Sequence, residues 1–440
     1  MVGKPVKKMN VWQLTMLTAA NMLGAGIIML PTKLAQVGTI SVLSWLVTAL
    51  GALCLAHVFA QCGMYSNHRG GMGGYAAYRF GLTGYYLTNF SYSISLVVGI
   101  VAIAVSAVGY IATLFQWHLS PWEGAMATIA LLWVAGTANF GGSHWTGRIS
   151  SITVWGAILP VAFMSIVGWY WFDFDLYIEA WNPNRLPVFE AASESIVLTL
   201  WTFLGFESAA ANMDSIENPQ RDVPRATFMG TLFVAMIYIL STNIMAGIVP
   251  NAKLLTSTAP FGLAFSSMFN GSIGRVIMTM MVISCCGALL CWQFTMSQVF
   301  KGCGESGAYP RIFAKVNRKG APVWGMLILL TLQSCFALMT VDANLFAQFE
   351  RIVDLAVITN VLPYIVCCLS LDRILVRAQA GNSLRRQMVL FSCLGAVYSC
   401  YAVYAAGWRP LCDALFLLAL GYVVYLKVVD KRQLQSHIMD

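Results

Sequence analysis

Glu207 stands inside an apolar run, LTLWTFLGFESAAAN, from Leu198 to Asn212. A carboxylate at the centre of a membrane-spanning helix costs about 2.5–3.5 kcal/mol on insertion scales, so an acid there is rarely idle. It could pair with an ammonium group, carry a proton, or hold helices together through hydrogen bonds, and the residues leave those roles open. Trp201 lies six residues before it, and Trp292 sits in a second apolar run, CCGALLCWQF. An indole face attracts an ammonium group by about 0.5–2 kcal/mol. One acid with two tryptophans deep in apolar runs suits a compact organic cation better than a sugar or a metal ion. Trp169 and Trp171 end a run and read as interfacial anchors. Asp354 is a further acid near a span. Arg351 lies three residues away on the same helical face, so a local ion pair is an equal reading. His57 is polar within a span, and no partner is evident.

The backbone offers a second kind of chemistry. Gly24 and Gly26 flank Ala25 in NMLGAGIIMLP, and Gly205 precedes Glu207 by two residues. Each glycine weakens a helix by roughly 1 kcal/mol relative to alanine. Unwound backbone at membrane depth is tolerated only where it lines a cavity or is buried in protein. A half-helix N-terminus after such a break carries partial positive charge and free N–H groups that suit a carboxylate. Close packing of helices through small residues is the competing reading of the first break taken alone. Matched interruptions at corresponding places in two groups of five spans point instead to an inverted-repeat transporter site.

These residues need a membrane scaffold, and the composition supplies one. The 440-residue chain is 58% hydrophobic and 10% charged. Soluble domains run at about 45–50% apolar and about 25% charged. Apolar runs of spanning length fall near 11–34, 40–62, 85–115, 122–141, 150–172, 193–213, 228–249, 274–300, 322–341, 349–370, 387–407 and 410–427. They predict an all-α membrane protein of twelve spans in one polytopic domain, 1–440. The parts are a first five-helix repeat over 11–172, a second over 193–370 and two additional helices over 387–427. The basic start, MVGKPVKKMN, precedes no small-residue cleavage site, so the first run reads as a retained span. With both termini cytoplasmic, 20 of the 26 Lys and Arg fall inside, which obeys the positive-inside rule.

Several functions are disfavoured. Loop charges account for the net charge of +8, and no basic face with interleaved aromatics suggests nucleic acid. The twelve cysteines lack metal-site spacing with histidine and read as small packing residues, so neither a metal nor a cofactor is expected. Cys62 is kept as a weaker candidate because it ends a span beside a glycine-rich segment, HRGGMGGYAAYRFG. That segment lacks the Gly-Lys-Ser/Thr ending of a nucleotide loop, which argues against an ATP-driven pump. It reads either as a flexible turn or as a close-packed cytoplasmic segment that moves with a gate. No nucleophile–base constellation for an enzyme appears, and loops of about 20 residues are too short for a sensor's output domain.

The motifs NMLGAGIIMLP, RGGMGGYAAYRFG, WTFLGFESAAAN and ENPQRDVPRA resemble the amino acid–polyamine–organocation transporters over nearly the whole chain. LPTKLAQVGTIS, NFGG, SSITVWG, NIMAGIVPN, STAPFGLAF, SCCGALL and WQFT are similar to the basic amino acid/polyamine antiporters among them. The resemblance implies a five-plus-five inverted repeat with broken helices one and six, and a multi-pass protein of the bacterial inner membrane. It implies exchange of putrescine for ornithine, with proton-coupled putrescine uptake as a further mode. Cadaverine/lysine, agmatine/arginine and biogenic amines are the alternatives. A cytoplasmic decarboxylase would be a functional partner, and a homodimer is left open. Carried over residue by residue, Gly24, Ala25 and Gly26 become the carboxylate cradle and Trp201 a gating aromatic. Glu207, next to the Gly205 break, becomes the acid linking substrate to helix six. Trp292 becomes a wall and Asn360 a polar site position. Tyr425 and Asp354 hold weaker claims. Ala25, Ala77 and Ile100 depart from the family by replacing polar or acidic residues.

Overall fold

The computed structural model describes residues 10–23, 25–68, 70–141, 143–207, 218–339, 341, 345–429 and 431–439. Their regular structure is helical. The chain opens with α1 (Val11–Met22), α2 (Leu30–Val37), α3 (Val42–Tyr65), α4 (Gly71–Phe115) and α5 (Pro121–Ala138). It continues with α6 (Ser143–Thr153), α7 (Trp155–Val167), α8 (Phe174–Glu179), α9 (Val188–Glu194) and α10 (Ile196–Phe203). Then come α11 (Pro219–Ala246), α12 (Asn251–Leu254), α13 (Pro260–Met268), α14 (Gly271–Glu305) and α15 (Val323–Met339). The last four are α16 (Leu345–Arg377), α17 (Asn382–Ala406), α18 (Trp408–Val428) and α19 (Lys431–Met439). Among the described residues, nine helical stretches are long and apolar enough to cross a membrane.

Local sequence sets several starts. Asn10 and Gln13 form a capping box at α1, with the Asn10 side chain accepting the Gln13 N–H at 2.9 Å. Ser120 and Glu123 repeat the device at α5, where Pro121 takes a first-turn position that needs no N–H. Asn270 caps α14 by accepting the Ser272 and Ile273 N–H groups, each at 3.0 Å.

The glycine-rich segment is helix, not a turn. α4 begins at Gly71, well before the apolar run expected from residue 85, and kinks at Gly81 with φ 61° and ψ −151°. Close approach explains the early start. A Cβ on Gly73 would overlap the Asn89 amide, so only glycine lets this backbone rest there. Met72, Tyr75 and Ala76 are buried. Arg79 Nη1 donates to the Leu369 carbonyl at 3.1 Å, and the Arg377 guanidinium lies 5.3 Å from the Tyr78 ring centroid. The segment therefore packs against the far end of α16.

α4 and α16 share the most extensive helix contact, and α3, α10, α14 and α17 pack around them. Serines stitch the pair: Ser91 and Ser95 donate to the Thr359 and Ala356 carbonyls at 2.6 and 2.7 Å. This pair forms the stable wall on which the interrupted segments close.

Candidate substrate site

Two interruptions create the site. α1 ends at Met22 and α2 starts at Leu30, with one 3-10 turn, Ala25–Ile27, between them. Gly24 lies outside the described residues, as does the Ala25 side chain. The freed Met22 carbonyl accepts the Tyr238 hydroxyl at 2.6 Å, and the Ile28 carbonyl accepts the Tyr110 hydroxyl at 3.0 Å. Neighbouring helices thus satisfy backbone that hydrocarbon could not.

The second interruption follows α10. Gly205 holds φ +117°, a backbone region open to glycine and strained for other residues. Its N–H donates to Glu207 Oε2 at 3.0 Å, and the Tyr364 hydroxyl donates to the same oxygen at 3.2 Å. Glu207 therefore closes the break and ties it to α16. The Thr202 carbonyl lies 3.3 Å from the Tyr238 hydroxyl, so one tyrosine spans both interruptions. They also touch directly. A Cβ on Gly26 would lie 3.1 Å from Thr202 Cα and 3.5 Å from Trp201 Cδ1.

Where they meet, a cavity of about 50 Å³ opens. Met22 and Gly26 line it from the first break, and Trp201 and Leu204 from the second. Ser95, Leu96, Gly99, Ile100 and Ile103 contribute from α4, Trp292 from α14 and Asn360 from α16. None of these carries a formal charge. Trp201 fits against Gly99, where a Cβ would lie 2.8 Å from its Cη2. Trp201 Nε1 and Asn360 Oδ1 are buried without a hydrogen-bond partner among the described residues. A buried polar atom left so costs about 1–3 kcal/mol. The cavity thus sets two indoles and one amide side chain around a small, mainly apolar space, which suits a small molecule with apolar segments.

The amino acid permease profile matches residues 9–411. The chain belongs to the amino acid permease family. It is 51% identical over 429 residues to the putrescine transporter PotE of Escherichia coli (strain K12), covering 98% of both chains. The namesake of Haemophilus influenzae (strain ATCC 51907 / DSM 11121 / KW20 / Rd) is 51% identical over 418 residues, covering 95% of this chain and 96% of its own. The cadaverine/lysine antiporter of E. coli (strain K12) is 29% identical over 445 residues, covering 99% and 97%. These relatives are named transporters, and the permease described here is a multi-pass membrane transporter, not an enzyme.

The fold of this permease brings Gly26, Trp201, Trp292 and Asn360 to one cavity, and Ile100 to its wall. Gly205 and Glu207 do not line it. They lie beside Tyr364, one helical turn beyond Asn360 on α16. Cys62 is fully buried in the apolar core, within electrostatic reach of Cys367 and Cys368. Asp354 sits in the field of Glu350 and Lys33. Lys33 and Glu350 form an ion pair that joins α2 to α16, an arrangement the expectation of a local Arg351 pair missed. Lys33 and Glu350 are 317 residues apart in the chain, so the spacing rules of a single helix do not reach them.

Tyr425 is not at the cavity. Its ring centroid lies 5.2 Å from that of Tyr86, its hydroxyl accepts from Thr83 at 3.3 Å, and Lys431 sits over its ring. Ala77 packs against the same cluster, together with α19. Ala77 and Thr83 precede Ser95, the first α4 residue on the cavity, by three turns or more, so they meet a different part of the molecule. His57 packs on Phe391, with ring centroids 4.8 Å apart. Tyr364, Tyr238 and Gly99 also shape the site and are not among the candidates from sequence. Tyr364 was within reach, because it follows Asn360 by one turn. Gly99 and Tyr238 carried no local signal.

Proposed function

We propose that this permease exchanges putrescine for ornithine. The carrying observation is the uncharged cavity walled by Trp201 and Trp292, whose lining residue Asn360 lies one helical turn before Tyr364, the hydrogen-bond partner of Glu207. The printed names of its relatives support a diamine and its amino-acid precursor as the substrate class. Indole faces take an ammonium group and the methylene chain, while Glu207 supplies the counter-charge. Ornithine adds a carboxylate, which the N–H groups of the first break and the positive end of α2 suit. Putrescine leaves that cradle to water. Gly24 and Ala25 belong to the cradle in this reading.

The reading extends to twelve spans in one 1–440 domain, an inverted five-plus-five repeat and two added helices. Both termini face the cytoplasm of a bacterium, across its inner membrane. Without a bound cation, Glu207 would be an unpaired charge in a low-dielectric site, which disfavours crossing empty and favours exchange. A cytoplasmic decarboxylase that turns the amino acid into the amine would maintain both gradients. A homodimer is compatible with this scheme and is not required by it.

Counterflow in proteoliposomes tests the proposal. Vesicles loaded with ornithine are offered labelled putrescine, cadaverine, agmatine, tyramine or histamine. Putrescine is expected to enter fastest, and far faster than into empty vesicles. The apolar Ile100 in the cavity wall favours cadaverine with lysine as the second reading, and faster cadaverine entry would replace the first with it. Uptake into empty vesicles driven by a pH step would mark proton symport through Glu207 instead.

A further inference from the structure

A second, larger cavity lies outside the substrate site, where the end of α16 meets the start of α17. Its volume is about 170 Å³. Cys368, Leu371 and Leu375 line it from α16, and Met388, Val389 and Cys393 from α17. It opens on the apolar outer face, where Leu369, Val389 and Leu394 are exposed. Asp372 and Arg385 stand at its polar end, with Arg385 Nη2 donating to Asp372 Oδ1 at 2.9 Å. Arg385 Nε is buried without a hydrogen-bond partner among the described residues.

The surrounding charge is one-sided. Arg373 and Arg377 end α16, and Arg385 and Arg386 begin α17, against the single acid Asp372. Arg79 reaches the same place and binds the Leu369 carbonyl. Such a cluster repels the cationic substrates that the central cavity suits. It calls for an anion, and the apolar groove beneath calls for a hydrocarbon chain. A basic pocket between membrane helices at one leaflet matches a phospholipid headgroup.

We propose that this groove holds one anionic phospholipid, with an acyl chain along Leu371, Leu375 and Val389 and the phosphate on the Arg385 guanidinium. The phosphate supplies the acceptor that Nε lacks among the described residues, beside the Nη2 that Asp372 already shares. The lipid braces α16 two to three turns beyond Tyr364, the residue that holds Glu207. Occupancy therefore steadies the helix that carries Asn360.

Native mass spectrometry of the full-length protein in detergent tests this without reference to transport. Dioleoyl phosphatidylglycerol and dioleoyl phosphatidylcholine are added in turn. The wild type is expected to retain one phosphatidylglycerol with at least about tenfold preference. Arg385→Gln is expected to lower that preference to near unity. Val389→Trp, which fills the groove and keeps the arginine, is expected to abolish retention of the lipid. Arg409→Gln, at the start of α18, is expected to change nothing. Thermal unfolding of each variant reports its fold, and Val389→Trp decides alone if Arg385→Gln does not fold. Equal retention of the two lipids by the wild type, undiminished phosphatidylglycerol on Val389→Trp, or equal competition by inorganic phosphate would overturn the proposal.

Discussion

Trp201 and Glu207 occupy the same short segment yet face different tasks. Trp201 is 9% exposed, lies on the cavity and has its Nε1 buried without a partner among the described residues. Trp171 packs instead on Phe269 at the end of a span, with ring centroids 4.8 Å apart. Trp201→Leu is therefore expected to weaken putrescine transport by up to about tenfold in apparent affinity, through loss of cation–π attraction. Trp171→Leu should leave affinity near wild type, and equal effects in a Michaelis–Menten comparison would remove Trp201 from the site. Glu207→Gln asks a different question. Glu207 Oε2 accepts from Gly205 and Tyr364, and an amide oxygen can accept the same two bonds. The variant is therefore expected to fold and reach the membrane. If the carboxylate neutralises substrate, binding should fall by on the order of 1.5–3 kcal/mol, or roughly tenfold to 150-fold. A proton-carrying role predicts intact exchange with lost pH-driven uptake. A structural role predicts little change in either assay.

Elements make these residues meet, and two contacts expose how. Gly205 at φ +117° sets the direction of the chain after α10. Gly205→Ala forces an L side chain into a strained conformation and should cost about 1–3 kcal/mol, read as a lower unfolding temperature in detergent. An unchanged midpoint would mean that the segment relaxes elsewhere. Across the molecule, Lys33 joins α2 to Glu350 on α16, with side chains 13% and 29% exposed. Lys33→Met leaves Glu350 beside Asp354 without that counter-charge. Partial exposure tempers the penalty, so a loss of about 1–2 kcal/mol in unfolding free energy is expected, partly restored by Lys33→Met with Glu350→Gln. This pair also marks the limit of what sequence made legible. The breaks at Gly26 and Gly205 were visible because glycine in an apolar run is a local anomaly. Trp201, Trp292 and Asn360 were visible because polar or aromatic groups at span depth stand out, or through family likeness. Lys33–Glu350, Tyr238 across both breaks and Gly99 beneath Trp201 arise from packing between distant segments. Tyr425 was misjudged because depth along a helix does not tell which end of the molecule it meets.

At the scale of the whole molecule, the proposed cycle has an electrical consequence. Putrescine carries two positive charges and ornithine a net one, so each exchange moves one net charge in the direction of putrescine. A charge crossing the full membrane potential is worth about 2.3 kcal/mol per 100 mV. At equilibrium, the putrescine distribution should therefore shift about tenfold for each 60 mV or so imposed across the vesicle. Putrescine–putrescine exchange moves no net charge and should ignore the potential, which provides the control within one preparation. Proton symport gives a different pattern, because uptake would then follow a pH step with no internal amine. The measurement uses ornithine-loaded proteoliposomes clamped by potassium gradients and valinomycin, with labelled putrescine counted on both sides. A distribution independent of voltage would show that the exchanged partners carry equal charge. The partner of putrescine would then be a second dication, and the carboxylate cradle at the first break would have no substrate to hold.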